Sequence, residues 1–388
     1  MNKNLKLIMT KSKIPFNKPY ISNKEILNIK DLTKFNHYSS NGSFTKKCES
    51  WLIKKIKCKD ALLVHSCTAA LEMCALLLNI KQGDEIILPS YAYVSSANAF
   101  ALKGGKPIFI DIDPDTCNID PDKIEESITK KTKAIVVIHY AGISCDMDSI
   151  EKIAKKNKLV LIEDAAHAIL SRYKNRPLGS IGDLATLSFH ETKNIHCGEG
   201  GALLINNSKF LKRAKVIRDK GTNRELFNKN IVKKYTWVDL GSSYGLSEIN
   251  AAFLHAQFLK SNQITKKRKL LFNTYHNLLI KLEDQGFIKR PKIKKDIIYN
   301  GHIYYISILK NKRERIINYL KKNNIVSLFH YIPLHSSPFG KKISSSNLKM
   351  KNTKYISNNL LRLPIYYELK VSDVKSICKC INSFYKLK

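Results

Sequence analysis

Between Asp60 and Asn206 the chain alternates short β-branched runs with amphipathic stretches, and no other feature narrows the choice of fold as far. The candidate strands are Ala61–Val64, Glu85–Leu88, Pro107–Asp111, Ala134–His139, Leu159–Glu163, Ala185–Phe189 and Ala202–Ile205. Helical spacing fits Thr68–Leu78, Ile119–Ile128 and Met147–Lys156, each with turn residues at its edges. Strand and helix in alternation predict a mostly parallel sheet covered on both faces. In such sheets the ligand sits beyond the carboxyl ends of the strands.

After about Gly245 the texture changes. A long helical pattern runs from Leu246 through Leu282, with a break expected near Ser261-Asn262. It is followed by Ile303–Leu309, a helix over Arg313–Lys322, the run Val326–Ile332 and a last helix from Val371 towards Tyr385. A chain of 388 residues exceeds one small core, so an α/β architecture of one large and one smaller domain is expected. We divide it into an N-terminal extension at residues 1–13, a large domain with an N-terminal arm at 14–245, and a small C-terminal domain at 246–388.

The formal net charge of +35 invites a nucleic-acid reading. The lysines are scattered over nearly every polar face, however, and no helix-turn-helix, zinc finger or aromatic RNA-binding signature accompanies them. A positive field suits an anionic substrate instead. No apolar run reaches membrane-spanning length, and the apolar part of Met1–Met9 is too short for a secretory signal, so a cytoplasmic protein is expected. The nine cysteines lack any Cys-x-x-Cys pair and read as reduced thiols, without a metal site.

The chemistry gathers at the ends of two strands. The run Leu159–Glu163 delivers Asp164, and about thirty residues later Ser188-Phe189-His190-Glu191-Thr192-Lys193 precedes the turn Gly198-Glu199-Gly200-Gly201. Pyridoxal phosphate chemistry requires such a set: a lysine to hold the cofactor as a Schiff base and an acid to keep its pyridine nitrogen protonated. The plainer alternatives are a surface lysine and a helix N-cap. His167 either packs against the cofactor, bonds its phenolic oxygen, or is a core histidine. Ser66-Cys67-Thr68-Ala69-Ala70 lies between strand and helix, where hydroxyls and backbone amides either cap the helix or hold a phosphate, with Ser188 as a second ligand. In Pro89-Ser90-Tyr91-Ala92-Tyr93, Tyr93 is the candidate to cover the ring face, or is a core or interface tyrosine.

These segments, in this order, resemble the DegT/StrS family of sugar aminotransferases. The likeness continues through Arg218–Arg224, Tyr235-Thr236-Trp237, Gly241-Ser242-Ser243-Tyr244 and His330-Tyr331-Ile332-Pro333-Leu334-His335, and covers the chain from about Ile14 onward. Within the family the wording is closest to the branch making dTDP-4-amino-4,6-dideoxygalactose. The resemblance implies a type I aminotransferase fold and a homodimer with active sites at the subunit interface. It assigns the cofactor linkage to Lys193, the pyridinium partner to Asp164 and phosphate contacts to Thr68, Ala69 and Ser188, with Tyr93 stacking and His167 near the ring. Ser243 stands where many members place an Asn that reaches the phosphate across the dimer. Gly245 stands where an Arg is common.

The implied reaction moves the amino group of L-glutamate to C4 of a nucleotide-linked 4-keto-6-deoxyhexose. Arg and Lys of the Arg218–Arg224 loop are candidate contacts for its diphosphate. Two rivals stay open: a 3-aminotransferase on another nucleotide-keto sugar, and a non-catalytic regulator that binds the cofactor. A cofactor-dependent deoxygenase is disfavoured, because that branch typically replaces the lysine with His.

Overall fold

The computed structural model describes residues 13–34, 36–309, 312–344 and 349–386. All but the last residue of the expected N-terminal extension lies outside them. All seven expected strands form: β1 (Asp60–Val64), β2 (Glu85–Pro89), β3 (Lys106–Ile110), β4 (Thr132–Ile138), β5 (Val160–Asp164), β6 (Leu184–Ser188) and β7 (Gly201–Ile205). They make one seven-stranded sheet in the order β1-β7-β6-β5-β4-β2-β3. Only β7 opposes the common direction, pairing antiparallel with β1 and β6.

Both faces of the sheet are buried, as the strand composition demands. Leu62 and Val64 of β1 and Ile86 and Leu88 of β2 join one apolar cluster, with α3 (Cys67–Leu77) and α6 (Leu211–Arg218). Ala61, Leu63 and Ile87 join the opposite one, with α2 (Ser43–Ile56) and α5 (Met147–Lys156). The remaining helix of the N-terminal half that matters here is α4 (Ser95–Ala101), which follows β2.

Two expected helices differ from the reading of the sequence. Ile119–Ile128 is helical only over Asp122–Glu125. Ile119 is paired with Ile112 in an isolated bridge, and Asp120 precedes Pro121, which disfavours helical backbone before it. The pattern after Gly245 has no break at Ser261. Helix α7 runs unbroken over the 31 residues Glu248–Leu278, and the Ser261 hydroxyl donates to Phe258 O at 2.7 Å within it.

Helix α7 serves two cores. Its first half contributes Ala251, Leu254 and Phe258 to the large cluster. Its second half contributes Leu271, Phe272 and Tyr275 to a separate one, under the three-stranded antiparallel sheet of β8 (Ile288–Lys289), β9 (Tyr304–Ile308) and β10 (Leu360–Leu363). Helices α8 (Arg313–Lys322) and α9 (Val371–Phe384) close that core. Ile14 packs there too, bridged to Ile325. The run Val326–Ile332 makes one bridge, Leu328 with Arg362, and then turns inward at His330-Tyr331.

Candidate active site

Asp164 ends β5 beside Ile138 of β4 and Thr186 of β6, and is 5% exposed. Its Oδ2 accepts from the Ser96 hydroxyl at 2.7 Å and its Oδ1 from the Ala166 amide at 3.1 Å. Among the described residues no Lys, Arg or His makes an ion pair with it, so a buried carboxylate faces the site without a protein counterion. Such a charge is costly unless a cation completes it.

Five residues beyond β6, Lys193 is partly buried, its amide bonded to His190 O at 2.9 Å. Burial pulls its ammonium below the ordinary lysine range; Cys67 and Asp164 pull it back, and Arg362 adds to the depression. The loop is held by amide bonds from Glu191 to Gly198 O and from Phe189 to Gly200 O, both 2.8 Å. A Cβ on Gly201 would lie 2.5 Å from Cys67 N, so only glycine lets β7 start against the first residue of α3.

Ser66 caps α3, with its Oγ accepting from the Ala69 amide at 3.0 Å. The Ala69 N–H is thereby engaged within the helix end, while the Thr68 hydroxyl bonds Ser95 Oγ at 2.7 Å, joining α3 to α4. Thr68 and Ser188 are both partly buried at the carboxyl edge of the sheet. Tyr93 is 60% exposed, its ring 6.4 Å from that of Tyr331.

His167 is 8% exposed, and burial, Lys193 and Arg362 together drive its pKa well below the usual value. The ring is therefore neutral. Its Nδ1 accepts from the Ala141 amide at 3.3 Å, which leaves the proton on Nε2 as a donor. Rings of His302 and His330 lie 4.6 and 6.3 Å away, and His330 Nδ1 bonds the Tyr140 hydroxyl at 2.6 Å.

Ser243, expected to reach the phosphate of a partner subunit, is exposed in its own chain and bridges Asp219. Arg218, a candidate for a diphosphate, is bonded to Glu49 at 2.6 Å and is nearly buried. Reading the sequence also missed Arg362 of β10. Its guanidinium donates to Phe329 O at 3.1 and 3.3 Å and lies over the Phe16 ring. The groups that favour its charge are three phenols, Tyr140, Tyr331 and Tyr91, rather than a carboxylate.

Behind Asp164 stands a clamp. Glu163 Oε2 accepts from His139 Nε2–H at 2.9 Å and from the Gly179 amide at 2.8 Å, and Oε1 accepts from the Ile181 and Gly182 amides, both at 2.7 Å. Burial opposes ionisation, but His139 and the glycine amides outweigh it and hold the Glu163 carboxyl below its usual range. Glu163→Gln should cost about 3–5 kcal/mol in urea unfolding at neutral pH. A lowered folded pKa stabilises above the unfolded value of about 4.3, so the gap between variant and parent should close as pH falls below it. Equal urea midpoints at pH 7 would refute the clamp.

A parallel sheet that presents an uncompensated carboxylate and a depressed lysine amine at its carboxyl edge defines a pyridoxal phosphate-dependent aminotransferase of fold type I. The group fits these residues, because a protonated pyridine supplies the cation that Asp164 lacks. The comparisons agree. The model of the DegT/DnrJ/EryC1/StrS aminotransferase family matches residues 19–382, and the chain belongs to that family. Protein MJ1066 of Methanocaldococcus jannaschii is 34% identical over 384 residues, covering 97% of this chain and 98% of its own. The spore coat polysaccharide biosynthesis protein SpsC of Bacillus subtilis is 31% identical, covering 96% and 97%. Spr1654 of Streptococcus pneumoniae, a proposed sugar aminotransferase solved in its pyridoxal phosphate form, superposes with a TM-score of 0.87 at 26% identity, covering 96% and 98%.

Proposed function

We propose that the protein transfers the amino group of L-glutamate to C4 of a nucleotide-linked 4-keto-6-deoxyhexose for cell-surface polysaccharide synthesis. The acceptor on this reading is dTDP-4-keto-6-deoxy-D-glucose and the product dTDP-4-amino-4,6-dideoxy-D-galactose. The observation that carries the reading is that buried Asp164 and the pKa-depressed amine of Lys193 share one sheet edge. The similarity to SpsC and Spr1654 supports a sugar substrate and a polysaccharide pathway.

Pyridoxal phosphate, when bound, supplies an electron sink for the carbon that loses its proton. Lys193 would hold it covalently, and its amine would carry the proton away from the donor Cα. A depressed pKa suits that work, since more of the amine is neutral near pH 7. Asp164 stabilises the ring nitrogen as a cation. His167 offers its Nε2–H to the phenolic oxygen. Thr68, Ser188 and the helix end at Ala69 would hold the phosphate, and Tyr93 would cover the ring. Ser243 approaches from a partner subunit. Arg362 is the cation for a substrate anion. Glutamate leaves as 2-oxoglutarate with consumption of one water; the sugar ketone takes the nitrogen and releases one.

On this reading residues 14–245 form the cofactor-binding domain and 246–388 the smaller one. A homodimer is supported by the exposed apolar side chains of Ile231, Tyr235, Trp237 and Leu240, beside Ser243 in the chain.

The test is the visible absorbance of the cofactor-loaded protein. Glutamate should bleach the band, and dTDP-4-keto-6-deoxyglucose should restore it, with NMR of the product placing nitrogen at C4. Bleaching without restoration would mean another acceptor. Nitrogen at C3 would identify the 3-aminotransferase, and no bleaching would leave a cofactor-binding regulator.

A further inference from the structure

The loop that carries Lys193 and the turn that carries Asp164 and His167 must keep a fixed spacing, and a third segment joins them. Asn194, 6% exposed, donates from Nδ2 to Asn300 O at 3.1 Å, and its Oδ1 accepts from His302 Nδ1 at 2.8 Å. An amide oxygen only accepts, so the His302 proton sits on Nδ1. Asn300 is fully buried and donates from Nδ2 to His167 O at 2.8 Å and Ile169 O at 2.9 Å. Its Oδ1 accepts from the His302 amide at 3.0 Å.

The segment has its own anchor. Arg268 of α7, 4% exposed, donates from Nε to Gly301 O at 3.1 Å and from Nη2 to His302 O at 2.7 Å. Room for Asn300 comes from Gly142 (φ +81°), where a Cβ would lie 2.2 Å from Asn300 Oδ1. The His302 ring, 4.6 Å from His167, faces the charges of Lys193 and Arg268 and the ring of His330. Burial and these neighbours keep it uncharged.

We propose that Asn194, Asn300 and His302 are positioning residues, a polar clasp that locks the Lys193 loop to the His167 turn and holds the His302 ring beside His167. The clasp rests on Lys193 being the cofactor-bearing amine. It acts through geometry: the amine and the His167 ring edge must address one bound ring, and misplacement by about 1 Å costs on the order of 10²-fold in rate.

The experiment uses full-length, cofactor-loaded protein and the variants Asn194→Ala, His302→Leu and His302→Asn. Three quantities are read: the pH midpoint of the visible band, the cofactor dissociation constant, and the rate of bleaching by glutamate. Asn194→Ala and His302→Leu should shift the midpoint by about one pH unit and slow bleaching by roughly 10–100-fold. His302→Asn keeps a donor at the place of Nδ1–H and should recover most of the rate. Folded Asn194→Ala with parental values in all three would overturn the clasp, as would His302→Asn as impaired as His302→Leu. If Asn194→Ala does not fold, the two His302 variants decide alone. A visible band that survives Lys193→Ala sinks the underlying reading instead, whatever the clasp variants do.

Discussion

Lys193→Ala protein is expected to bind pyridoxal phosphate without acquiring the visible band of a lysine-attached cofactor, and to lose turnover by at least roughly 10²–10⁴-fold. Two roles disappear together. The covalent tether is gone, so on the proposed reading the cofactor is left with its non-covalent contacts. The proton carrier is gone as well, and a small exogenous amine should restore part of the lost rate, because it can occupy the space the side chain leaves. Lys193 is partly buried and among the described residues makes no side-chain hydrogen bond, so the variant should unfold at a temperature close to the parent's. Retention of the band would assign the attachment to another lysine.

Asp164→Asn is the second large effect expected. The substitution keeps Oδ1 as the acceptor for the Ala166 amide, and its Nδ2 can donate to the Ser96 hydroxyl oxygen, so the turn after β5 should survive. What it removes is the negative charge of a side chain that is 5% exposed. Turnover should fall roughly 10²–10³-fold, the usual loss when one aimed electrostatic partner is deleted. Cofactor affinity should fall with it, read as a raised dissociation constant in fluorescence quenching. Parental affinity and turnover in the Asp164→Asn variant would show that the ring nitrogen is not protonated here, and that the carboxylate serves only the turn.

The sheet was legible because its strands are buried on both faces and so read as uninterrupted apolar runs. Asp164, Lys193 and Ser188 were legible because each sits within a residue or a few of such a run. Other parts of the site had no such marker. Asn300 and His302 reach Asn194 and His167 across more than a hundred residues of chain, and a lone His or Asn carries no periodic signal. Arg362 lay in a strand of the second sheet, where its neighbours Leu361 and Leu363 announce a core rather than a ligand. Ser261 was misread for a local reason. A serine weakens a helix by competing for backbone, but here it bonds the carbonyl three residues back and the helix continues.

Helix α7 has a consequence for how such a chain can be cut and recombined. Its first turns plug the large core with Ala251, Leu254 and Phe258, while its last turns plug the small one with Leu271 and Tyr275. A chimera joined at residue 245, where the texture of the sequence changes, would take its stopper from one parent and its socket from the other. Module exchange in this architecture has to keep the first turns with the large sheet and the last turns with the small one, so the workable seam lies in the middle of a continuous rod and not in a loop.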